Sequence, residues 1–176
     1  MQEKVSQADV IANLAAQAEG QGVDLSHSDL STIAWEGLDA SGATIAMSLF
    51  RGARFAAPQA LNGCTWIGNR LENCRFESVD LAKAELLDCE FESCFLQSPR
   101  LFRVDLSGTA FSTCHLIDID FSQAAMIRTR FNQCSFTNVR LADDLVVSGV
   151  GDFEFGPDGN PLSSPPAGWT VSDTLA

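Results

Sequence analysis

A chain of 176 residues with 45 % apolar and 19 % charged residues has one domain's length and enough apolar mass for a core, which excludes a mostly disordered chain. Its net charge of −12 excludes a basic groove for direct nucleic-acid binding, and no apolar run nears the ~20 residues of a membrane-spanning helix. Six cysteines without a recognisable export signal read as reduced thiols, so a cytoplasmic protein is expected.

At the N-terminus, Val5, Ala8, Ile11, Leu14, Ala15 and Ala18 fall on one face of a helix, with Gly20 and Gly22 as its stop. Residues 1–22 are therefore expected to form a short capping α-helix.

From there to residue 143 the pattern has neither the helical period of 3.6 nor the strand period of 2. Every fifth residue from Leu61 to Leu141 is apolar, seventeen positions in succession. A second run in the same step leads up to it from Leu25 to Phe55, offset by a single insertion within residues 56–60. Two residues before each large apolar centre lies a smaller set that includes Cys64, Val79, Ala84, Thr109 and Ile119, and Asp recurs just before the centre, as at Asp29, Asp80, Asp105 and Asp120. One large and one small inward residue in every five leave three outward positions, with a corner in each unit.

The fragments VDLAK, VDLSG and IDFSQ resemble the pentapeptide-repeat family, whose loose pattern is A-(D/N)-L-x-x. The resemblance covers about 24 units and implies an all-β fold, a right-handed quadrilateral β-helix of about six coils, four units to a coil. At a strand spacing of ~4.8 Å the column would stand about 29 Å tall. Such a column needs covered ends, because open coil edges invite aggregation. After Leu141 the lattice fails, with Asp144 in the next small inward slot. Residues 144–176 include GDFEFGPDGNPLSSPPAGW, whose large rings are Phe153, Phe155 and Trp169. A short irregular segment or hairpin over the column end, then a mobile tail, is expected.

Chemistry is sparse on this lattice. Cys74, Cys94, Cys114 and Cys134 are spaced by twenty and so stack on one side of the square, while Cys64 and Cys89 hold the same slot on other sides. Parallel side chains do not converge on a tetrahedral zinc, and their Cβ atoms, ~4.8 Å apart, sit too far apart for an ordinary disulfide, so all six read as small buried hydrophobes. Ser26, His27 and Asp29 lie on one extended stretch where neighbours point apart, and His115 faces outward. Motifs for phosphate loops, HExxH or GxSxG are absent. No enzyme, metal or cofactor is expected.

Two outward columns remain. Asp80, Arg100, Asp120 and Arg140 alternate in sign on one side and predict a surface ion-pair ladder. On the next side Ile67, Leu87 and Ile127, interrupted by Ser107, line up with Glu85, Asp88 and Asp105 nearby, and Phe102 on the adjoining side. An apolar centre rimmed by acids resembles a protein interface, unless the tail or the N-terminal segment packs there.

The reading is a non-catalytic binding module that presents a rigid side to a protein partner, without direct nucleic-acid or membrane contact. The resemblance adds alternatives: a DNA-mimicking binder of gyrase or topoisomerase, as in quinolone resistance or toxin immunity, or a secretion-system effector or accessory protein. It also raises a homodimer. Against mimicry, the repeats carry only −3 of the charge, the residues after 141 carry −6, and the C-terminal helical segment through which relatives pair is missing.

Overall fold

A five-residue repeat that bends at each corner leaves room only for very short strands, and most strands here have three residues. The computed structural model describes residues 3–18, 25–58, 61–142 and 145–175. Its elements are β1 (Glu3–Lys4), α1 (Gln7–Ala18), β2 (Ser28–Asp29), β3 (Thr44–Ala46), β4 (Leu49–Arg51), β5 (Arg54–Ala56), β6 (Thr65–Ile67), β7 (Arg70–Glu72), β8 (Arg75–Glu77), β9 (Glu85–Leu87), β10 (Glu90–Glu92), β11 (Phe95–Gln97), β12 (Ala110–Ser112), β13 (His115–Asp120), β14 (Arg130–Ala142), β15 (Leu145–Glu154) and β16 (Thr170–Ser172). They wind into a β-solenoid of about 6 turns with one short helix.

Four sides can be followed up the column. On the first, β2, β4, β7, β10, β12 and β14 pair in parallel, with Phe50, Leu71, Phe91, Phe111 and Phe131 in register. On the second, β5, β8, β11, β13 and β14 align Phe55, Phe76, Leu96, Leu116 and Phe136. The third side is held at Asp80↔Arg100 and Asp120↔Arg140. The fourth runs through β3, β6 and β9 and continues as Glu85↔Asp105↔Ala125. Thr44 pairs with Thr65, twenty-one residues on, and Thr65 with Glu85, twenty on, so one inserted residue between the two runs shifts numbering and not rung pairing.

The inward centres form one continuous core. The Phe91, Phe111 and Phe131 rings stack with centroids 4.7 and 4.9 Å apart, which is the strand spacing itself. The residue two past a centre turns most corners in left-handed backbone, at Asn73 (φ 55), Asp88 (φ 51) and Asn138 (φ 53) among others. Its N–H reaches the next coil, as from Asn73 to the Glu92 carbonyl at 2.9 Å. Asn and Asp tolerate this conformation better than other side-chain-bearing residues. The Asp just before a centre folds its carboxylate onto the N–H two residues later, from Ala82 to Asp80 at 2.9 Å, from Ser107 to Asp105 at 2.9 Å and from Ser122 to Asp120 at 2.8 Å. The recurring aspartate is thus a turn-former.

Both ends are covered, each in an unexpected way. Ser6 and Asp9 cap α1 reciprocally, the Asp9 N–H donating to Ser6 Oγ at 3.2 Å and the Ser6 N–H to Asp9 Oδ2 at 3.2 Å. The buried residues of α1 are Val10 and Leu14, whereas Ile11 is 48 % exposed, and Ala8 and Ala15 also face solvent. The expected apolar face is therefore rotated. The cause is Gln7, whose amide donates to the Ala34 carbonyl at 3.1 Å and accepts the Ala34 N–H at 2.8 Å, fixing the helix against the open first coil. Val5 packs against the core as expected; Gly20, Gly22 and the Ala18 side chain lie outside the described residues, as does Asp144.

At the far end β15 runs back antiparallel along β14, from Ala142↔Leu145 to Arg130↔Glu154. It is a ten-residue strand, so of the two alternatives expected here the hairpin is the one formed. Phe153 and Phe155 are buried over the last rung. Residues beyond it continue into β16, which pairs with β15 at Val147↔Val171, so structure persists where a mobile tail is expected. Trp169 lies over Gly149, packs 4.8 Å from Phe136 and donates its indole N–H to the Val150 carbonyl at 3.1 Å.

Candidate partner-binding side

On the first and second sides most inward small positions are occupied by groups that can donate to the previous coil. On the second side Cys94 Sγ reaches the Leu71 carbonyl at 3.3 Å, Cys114 Sγ that of Phe91 at 3.4 Å and Cys134 Sγ that of Phe111 at 3.4 Å. All six cysteines are buried and free. Burial pushes the Cys89 thiol up to about 12. It also raises Cys64, and hydrogen-bonded neighbouring thiols together with burial raise Cys94 and Cys134.

The first side carries the polar version of the same arrangement. Thr129 Oγ1 donates to the Leu106 carbonyl at 2.9 Å, and Thr109 Oγ1 to that of Leu86. Asn69, fully buried, accepts the Ser48 N–H at 2.8 Å and donates to the Ile45 carbonyl at 2.8 Å. Sequence reasoning placed the cysteines correctly and overlooked Ser48 and Asn69, which interrupt the small apolar slot. They satisfy backbone at the coils flanking the insertion.

The Ser26, His27 and Asp29 trio is likewise engaged with backbone. Ser26 Oγ accepts the Ala46 N–H at 2.9 Å, Asp29 accepts the Ser31 N–H at 3.1 Å, and His27 occupies a left-handed corner. His115 Nδ1 shares a hydrogen bond with Ser135 at 2.8 Å on the surface. Among the described residues no three His, Cys, Asp or Glu side chains gather as a metal site, and no helix is long and apolar enough to cross a membrane.

Charge is arranged unevenly around the square. Arg51–Glu72 at 2.7 Å, Arg70–Glu72 at 2.7 Å, Arg70–Glu92 at 2.7 Å, Arg54–Glu77 at 2.8 Å and Arg75–Glu77 at 2.9 Å form a mesh over the first and second sides. On the third side the expected ladder is two pairs, Arg100–Asp80 at 3.1 Å and Arg140–Asp120 at 3.7 Å. The fourth side differs: among the described residues none of Glu85, Asp88 and Asp105 is in an ion pair. Glu85 accepts the Thr65 hydroxyl at 3.3 Å, and Asp105, one rung above Glu85, holds the Ser107 turn.

Beside that acid column stand the predicted apolar residues. Ile67 and Leu87 are rung partners, Ile67 is 39 % and Ile127 41 % exposed, and Leu87 and Ser107 are half-buried. Met47 extends the column one rung below Ile67, its sulfur lying over Gly68, where an added Cβ would sit 2.6 Å away. Sequence reasoning missed Met47 because it sits at a corner position rather than just after a centre. Asp88 folds its carboxylate over Gly108 on the opposite margin of the column, so a side chain at Gly108 would displace it. The structure brings Ile67, Leu87, Ile127, Glu85, Asp88 and Asp105 onto one side and places Phe102 apart from them. Phe102 lines a shallow hollow on the third side with Pro99, Asp120 and Gln123, its ring 6.0 Å from the Arg100 guanidinium and 5.6 Å from that of Arg103.

The chain is thus a four-sided parallel solenoid whose inward Ser48, Asn69, Thr109 and Thr129 bond to backbone and whose sides differ in charge pairing. Residues 100–143 match the family model for pentapeptide repeats in eight copies. No curated relative matches the sequence. Among solved structures it is similar to HetL, a pentapeptide repeat protein involved in heterocyst differentiation regulation from the cyanobacterium Nostoc sp. strain PCC 7120. The identity is 14 %, covering 79 % of this chain and 71 % of that one, at a TM-score of 0.33. It is also similar to QnrB1, a plasmid-mediated fluoroquinolone resistance protein, at 16 % identity over 80 % of this chain and 81 % of that one, with a TM-score of 0.27. At such scores neither likeness bears on the site.

Proposed function

We propose that the protein is a non-catalytic binding module, acting in the cytoplasm, whose fourth side docks a protein partner. The observation that carries this reading is the coincidence on one side of an exposed apolar column and three carboxylates without ion pairs, while Glu72, Glu77, Glu92, Asp80 and Asp120 on the other three sides are held by arginines. Like charges one rung apart repel, and a cationic partner relieves that repulsion as it covers the aliphatic groups. The six buried thiols are in keeping with a reducing compartment.

Replacing Ile67 and Leu87 together by Asp is expected to abolish capture of the partner from a host extract, with circular dichroism unchanged. Undiminished capture of every partner by the folded variant would refute the reading. Mimicry of duplex DNA calls for an acidic rod, whereas arginines interleave with the acids of the first and second sides. DNA gyrase supercoiling, with or without a quinolone, is therefore expected to be unaffected at micromolar protein. Inhibition or protection in that assay would favour mimicry instead.

A further inference from the structure

The occupant of the fourth side can be narrowed by asking which backbone could lie on it; this rests on the preceding reading of that side as the docking surface. Main-chain groups along the column are engaged between rungs. Met47 N–H donates to Ile67 O at 2.8 Å, Gly68 to Leu87 at 2.9 Å, Asp88 to Ser107 at 3.0 Å and Gly108 to Ile127 at 2.8 Å. The side therefore offers side chains and no edge, so an extended partner would leave its own N–H and C=O groups without protein partners. A helix brings its backbone already satisfied.

Spacing gives the same answer. From Ile67 to Ile127 the column climbs three rungs, about 14 Å at ~4.8 Å each. Helix positions i, i+4, i+7 and i+11 climb about 16 Å. Side chains on one face of a strand, three steps of about 6.7 Å, would climb about 20 Å and fall out of step.

Charge fixes the flanks. Glu85 and Asp105 line one margin of the column and Asp88 the other. The chain's own tail is a poor occupant, since residues 142–176 hold six acids and no base. The loop before β16 reaches only the upper end, where a Cβ on Gly159 would lie 3.7 Å from Ile127. Lys83 and Arg103, at the adjoining corner, make no ion pair with these acids among the described residues, and Arg103 is turned toward Phe102.

We propose that the fourth side receives an amphipathic α-helix laid along the solenoid axis, about three turns long, with an aliphatic stripe flanked by Lys or Arg. The test is selection from a displayed library of random 16-residue peptides against the full chain, with two double variants in parallel. One is Ile67→Asp with Leu87→Asp; the other, Glu85→Lys with Asp88→Lys, alters only exposed positions and keeps the test alive if the first fails to fold. Expected winners carry aliphatic residues three and four apart with basic flanks and become helical on binding. They weaken about tenfold between 50 and 500 mM salt, as two or three exposed ion pairs would give. They lose binding to the first variant, and selection against the second favours acidic flanks. Winners that need Ile67 and Leu87 but lack a helical stripe or basic flanks would overturn the helix and leave the docking side standing. Winners indifferent to both variants, or no winners at all, would overturn the helix and the docking side together.

Discussion

Asn69 shows how much a single inward residue can carry in a solenoid. Its amide replaces two backbone partners at once, the Ser48 N–H and the Ile45 carbonyl, in a place without exposure to water. Asn69→Leu would leave both groups unpaired and is expected to cost about 1–3 kcal/mol, read as a lower urea midpoint with unchanged slope. Thr113 presents the opposite case. It holds a left-handed corner at φ 52 with a β-branched side chain, so Thr113→Asn is expected to raise stability by about 0.5–1 kcal/mol in the same experiment. The thiols make a third test. With all six thiols buried, the native protein is expected to resist a thiol reagent at pH 8, and all six cysteines to react in denaturant. Prompt reaction of the folded protein would contradict the ladder.

Among the elements, the two end caps were the least legible parts of the sequence. Hydropathy located α1 but misplaced its face, because the rotation is set by the Gln7 amide gripping Ala34, and a polar side chain pairing with backbone leaves no trace in an apolar pattern. The five-residue lattice, by contrast, announced every coil, since a large centre and a small companion are required at each corner. The same lattice ends at Leu141, so the turn-rich composition beyond it allowed a hairpin or an irregular segment without choosing between them, and it gave no sign of the length of β15 or of its pairing with β16. Trp169 secures the return of β15. Trp169→Ala is expected to speed amide exchange across β15 and β16 while the coils below keep their protection. The corner and mesh carboxylates also set an acid limit. Hydrogen bonds from Ser31 to Asp29, from Ser41 to Asp39, from Arg51 to Glu72 and from Arg54 to Glu77 lower these pKa values on folding. Their contribution is fully present above the unfolded carboxylate range, about 4, and is lost as pH falls through the lower folded values. The melting temperature should therefore fall with acidification below about pH 4.

For the molecule as a whole, the site was legible as far as the lattice reached. Counting by twenty put Ile67, Leu87 and Ile127 in one column and Glu85 with Asp105 in another, because side and rung follow from residue number alone. Pairing of charge could not be counted in the same way. Which carboxylates are neutralised depends on how arginines such as Arg70 and Arg75 bend along or across rungs, and that contrast distinguishes the fourth side. The same count places Phe102 on the adjoining third side, where its ring lies near two guanidiniums.

The extra residue between the two runs of centres has a meaning of its own. In a crystal, an added half-row would strain every layer beyond it. Here the rungs on either side keep full register, Thr44 meeting Thr65 and Thr65 meeting Glu85 as though nothing had been added. A winding chain bonded mainly to the coils above and below does not propagate a fault along its length. A loop or tag grafted between the two runs is accordingly expected to leave the rungs on either side in register.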